Sequence, residues 1–74
     1  MKSIKYDYSH LRGKIREKNL TQEELSNAAS IGVVTLNHSL LHGRPFRQDE
    51  MENILSVLGE PLSKIDYYFF IHKL

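Results

Sequence analysis

Residues 21–44, TQEELSNAASIGVVTLNHSLLHGR, constrain the fold more than any other stretch of this chain. Thr21 can cap a helix start, and Glu24, three residues on, can reach back to the Thr21 amide; together they make a capping box. Leu25, Ala28 and Ala29 then fall at helical spacing on one face. Ser30-Ile31-Gly32 interrupts that helix, and Ile31, apolar within a turn, is expected to point inward. A second helix runs from Val33 to about Leu41, with Leu36 and Leu40 four residues apart on its inner face and Val33 near the edge of burial. Gly43 ends it by accepting a left-handed backbone. Two short helices joined by a tight turn have the shape of a helix-turn-helix, which presents its second helix outward.

The remaining sequence extends this pattern. Asp7 or Ser9 can cap a first helix reaching about Lys18, with Tyr8, Leu11 and Ile15 as its apolar stripe. A fourth helix, Gln48 to Leu58, carries Met51, Ile54, Leu55 and Leu58 at i, i+3, i+4 and i+7; Asp49, Glu50 and Glu52 suit its first turn. Gly59 ends that helix, and Pro61 is expected at the first position of a fifth short one. The expectation is an all-α, compact bundle of four to five short helices. Its core is predicted as Leu11, Ile15, Leu25, Ala29, Ile31, Leu36, Leu40, Phe46, Met51, Ile54, Leu55, Leu58, Leu62, Ile65 and Phe69. One domain is expected over residues 1–74, with a loose arm at 1–6, the paired helices at 21–41 and an aromatic tail at 67–74.

Composition limits the function classes. The 74 residues include no cysteine, so disulfides and thiolate metal sites are excluded. The start MKSIKYDYS lacks a signal-peptide apolar core, and no apolar run approaches the ~20 residues of a membrane span. A cytoplasmic, nucleoid-associated protein without membrane contact is expected. Net charge is +1, but it is unevenly spread. Residues 1–47 hold eight basic and four acidic side chains, and residues 48–74 hold two and five, which would turn the first half toward phosphate. His38 and His42, at i, i+4, are too few for a zinc site, so no metal or other cofactor is expected. No nucleophile motif is present, and a core this small offers no deep pocket, so an enzyme is not expected.

The frame LRGKI-x-EK, TQEEL, TLNHSL, F-x-Q-x-E and PLSKIDYYFF, over about residues 5–71, resembles small Cro-like regulators of phages of Gram-positive bacteria. The opening YDYSHLRGKI and closing IDYYFF are its most specific marks. The resemblance implies a lambda-repressor-like helix-turn-helix domain and a role in a lysis–lysogeny switch, binding a double-stranded DNA operator, with a homodimer as the form that gains specificity. One branch of that family modulates repression by binding a partner phage repressor.

Carried over by position, Gln22 and Arg44 would hold phosphates, while Gly32, Val33, Val34, Asn37 and His38 would face base edges. Asn37 is the best suited, since its amide can pair with adenine for ~1–3 kcal/mol of discrimination; the two valines can touch only thymine methyls. The same valines, joined by Leu41, would equally make an apolar patch for a protein partner. The chain departs from the family pattern at Ser26, usually alanine, and at Ser30, usually glycine.

Overall fold

The computed structural model describes residues 5–71. Five α-helices follow in order: α1 (Ser9–Glu17), α2 (Gln22–Ala29), α3 (Val33–His42), α4 (Gln48–Leu58) and α5 (Ile65–Phe69), the last preceded by a 3-10 turn over Leu62–Lys64. No strand occurs among the described residues; Tyr6 makes one isolated bridge. Residues 1–4 of the expected arm and 72–74 of the expected tail lie outside the described residues, while Tyr67–Phe69 are helical.

Local chemistry sets the helix ends. The Thr21 Oγ1 accepts from the Glu24 amide at 3.0 Å and the Glu24 carboxylate from the Thr21 amide at 2.8 Å, the reciprocal pair read from the sequence. Ser30 closes α2 in the left-handed region at φ 58°, and the Ile31 amide turns back to the Ser26 carbonyl at 2.9 Å. Gly43 and Gly59 end α3 and α4 at φ 68° and 72°. The start of α1 differs from expectation. Tyr8 holds the cap position, and Asp7 Oδ1 accepts from the Ser9 amide at 2.9 Å. Pro61 also sits one place earlier than expected, ahead of the 3-10 turn rather than inside a helix.

α2 packs on α3 and α4, and α5 on α1 and α4. The Cα radius of gyration, 11.5 Å, equals the ~11 Å of a packed chain this long. Leu11, Leu25, Leu36, Ile54, Leu55 and Leu58 are fully enclosed, and Phe46 and Phe69 meet edge-to-face at 5.5 Å. Two predicted positions lie elsewhere. Leu62 is 58% exposed because the 3-10 turn points it outward, and Ile65 is only half-buried; Ala28, placed at helical spacing beside Leu25 but outside the predicted core, is exposed. Tyr8, expected on the apolar stripe of the first helix, and Tyr68 take core places, each delivering its hydroxyl to an acceptor. Ser26, buried where alanine is usual, donates to the Glu23 carbonyl at 2.8 Å, so its hydroxyl costs little.

Polar ties fix the frame. Lys14 Nζ reaches Glu17 at 2.9 Å and Glu60 at 3.9 Å, and Glu60 accepts from the Tyr68 hydroxyl at 2.8 Å, linking α1, the loop after α4, and α5. Asn53 Nδ2 of α4 donates to the Ala29 carbonyl at 3.2 Å, clamping the end of α2 beside its left-handed exit. No helix is long and apolar enough to cross a membrane among the described residues.

Candidate interaction face on α3

α3 divides cleanly between core and surface. Leu36, Ser39 and Leu40 turn inward. Val33, Val34 and Leu41 are 45%, 73% and 63% exposed, with Asn37 between them on the same outer stripe. β-branched Val33 and Val34 are stiff at χ1, so this apolar surface is already ordered before anything covers it. Residues 33–42 contain no Lys, Arg, Asp or Glu. The stripe is thus uncharged, and its one strongly directional group is the Asn37 amide.

The cations beside it are partly committed. Arg44 Nη1 lies 3.3 Å from His38 Nδ1, which acts as acceptor in that contact, and the His38 and His42 rings meet edge-to-face at 4.9 Å. Arg47 grips Asp49 with both arms of its fork, at 3.1 and 2.8 Å. That hydrogen bond holds the Asp49 carboxyl below its ordinary range. Glu50 accepts from the Arg47 amide at 2.9 Å, so the acids expected at this helix start do stand there. Val34, His38, Arg44 and Arg47 line one shallow groove.

The seven positions carried over from the resemblance are all exposed, and Val33, Val34 and Asn37 share the outer stripe of α3. Gly32 caps α3 through its backbone alone, at φ −61° and ψ 139°. Val34, His38 and Arg44 share the groove, whereas Asn37 and Gln22 do not line it. Gln22 opens α2 between Thr21 and the acids Glu23 and Glu24. The carboxylate of Glu24 accepts from the Thr21 amide and adds negative charge at the start of α2. Sequence reasoning gave no place to Lys5 and Arg12, which meet the end of α3 across a cleft. No local pattern links positions about thirty residues apart in sequence.

The chain matches, over residues 4–72, the family model described as "Protein of unknown function (DUF739)". Among solved structures it is similar to the modulator of repression (MOR) of the temperate bacteriophage TP901-1 from Lactococcus lactis. The two share 35% sequence identity and superpose with a TM-score of 0.67, the match covering 88% of each chain. No curated protein matches it.

Proposed function

The chain belongs to the DUF739 family, and we propose that it acts as a phage modulator of repression, docking the outer face of α3 on a partner repressor protein in the bacterial cytoplasm. The observation carrying this reading is the exposed, uncharged seam Val33–Val34–Leu41, on a chain similar to a modulator of repression. An apolar stripe gains by being covered with another apolar surface. Against a phosphate backbone it gains nothing, and binding to DNA draws most of its strength from cations. Here Arg47 is tied to Asp49, and Gln22 is flanked by Glu23 and Glu24.

Co-expression with the repressor of the same phage tests the reading. The two proteins are expected to co-purify. Val34→Asp or Val33→Lys places a charge on the seam and should abolish the complex while the helical circular-dichroism spectrum stays unchanged, since both side chains are exposed. A repressor that binds the Val34→Asp variant as tightly as wild type defeats the proposal.

A second reading is a Cro-like repressor, a homodimer reading an operator through Asn37 and His38, with Gly32, Val33 and Val34 against the bases and Gln22 and Arg44 on phosphates. It is favoured by the exposed amide of Asn37 midway along α3 and by the basic excess of residues 1–47.

A further inference from the structure

Residues 5–9 and Arg12 close with the end of α3 around a cleft of about 160 Å³. Lys5, Asp7 and Arg12 stand on one wall, Leu41 and His42 on the other; Asp7 Oδ1 accepts from the Ser9 amide at 2.9 Å, and two cations against one carboxylate leave the lining net positive. Backbone contact sets its width. The Tyr6 amide donates to the Gly43 carbonyl at 3.0 Å, and a Cβ on Gly43 would lie 2.7 Å from the Tyr6 oxygen. Residues 5 and 6 therefore lie against α3 as closely as a glycine permits. Lys5 and Arg12 are exposed, and neither enters an ion pair among the described residues. Leu41 belongs both to this cleft and to the apolar seam. One side chain thus joins an uncharged docking stripe to a cationic recess.

We infer that the partner surface covering Leu41 carries an Asp or Glu whose carboxylate enters this cleft and pairs with Arg12 and Lys5. The inference rests on the docking reading above and names the chemistry of the partner at that face. Apolar burial is non-directional and leaves the register of two surfaces open. A carboxylate held by an arginine fork supplies direction, and covering Leu41 excludes water and strengthens the pair. The recess is the size of one side chain, and its walls include Leu40, Leu41 and Tyr6.

The experiment measures the affinity of the full chain for the purified repressor of the same phage, at low and high salt, in wild type, Arg12→Glu, Lys5→Glu and Val34→Asp. Arg12→Glu is expected to weaken binding at least about tenfold and to flatten its salt dependence, with Lys5→Glu acting in the same direction. One Asp→Lys or Glu→Lys variant of the repressor should restore binding to Arg12→Glu. If Val34→Asp abolishes binding while Arg12→Glu and Lys5→Glu bind as wild type, docking stands and the cleft inference is overturned. If Val34→Asp binds as wild type, the docking reading itself fails. Loss of retention on a DNA duplex by Arg12→Glu, with repressor affinity unchanged, assigns the cleft to phosphate and also overturns the inference.

Discussion

The hydroxyl of Tyr8 donates to the carbonyl oxygen of Arg44 at 2.6 Å, joining the start of α1 to the segment that leaves α3, 36 residues away. The ring of Tyr8 packs edge-on against Phe46 at 5.2 Å and Phe69 at 6.4 Å. One side chain therefore anchors α1, the exit from α3, and α5. Burial pushes its hydroxyl well above the ordinary tyrosine range, with Tyr6 adding to the effect. Tyr8→Phe keeps the ring and removes only the hydrogen bond. Its expected cost is about 1 kcal/mol in urea unfolding, with the slope unchanged.

The two left-handed residues around α3 should respond oppositely to substitution. Ser30 is a non-glycine residue at φ 58°, a conformation costing ~1–2 kcal/mol, and nothing about its side chain requires serine there. Ser30→Gly is expected to raise stability by ~0.5–1 kcal/mol, part of the relief being lost to the greater freedom of unfolded glycine. Gly43→Ala should lower stability by more than ~1–2 kcal/mol, because the added Cβ also meets Tyr6. Thermal melts of the two variants on either side of wild type check both.

Alkaline stability should track Tyr68. Burial first, and its hydrogen bond to Glu60 second, push the Tyr68 hydroxyl from 10.0 up to about 12. The folded state thus holds its proton more tightly than the unfolded chain. The resulting stability is fully present below pH 10 and is lost as pH rises through about 12. Tyr68→Phe cannot ionise, so its melting temperature should fall less steeply over that window. Parallel melts with tyrosinate absorbance at high pH read this directly; equal slopes for both proteins refute it.

DNA binding by the chain alone is expected to be weak and unselective at physiological salt. Asn37→Ala and Arg44→Ala should each leave repressor co-purification in place, because neither removes the seam of Val33, Val34 and Leu41. Band shifts on DNA flanking its gene check this. Sequence-selective binding that Asn37→Ala relaxes, with Arg44→Ala weakening all sequences alike, would favour the Cro-like reading instead.

Loss of the clamp on α2 should be measurable. Asn53→Leu removes the donor to the Ala29 carbonyl beside the Ser30 turn, at a cost of ~0.5–1.5 kcal/mol, and faster hydrogen exchange is expected at Ser30 and Ile31.

The sequence by itself determined where α2, α3 and α4 begin and end and which of their residues share a face. Thr21 and Glu24 cap within one turn, Gly43 and Gly59 stop their helices locally, and the spacing of Met51, Ile54, Leu55 and Leu58 marks one side of α4. Such signals act over three or four residues, within reach of any local reading. Tertiary structure alone decided what covers each face. It buried Tyr8 and Tyr68 because Arg44 and Glu60 arrive to accept their hydroxyls, and it left Leu62 and Ala28 outside. It also brought Lys5 and Arg12 to the end of α3, where Leu41 stands uncovered. Periodicity names the side of a helix that could be buried, but a neighbour distant in sequence determines whether that side meets protein or water.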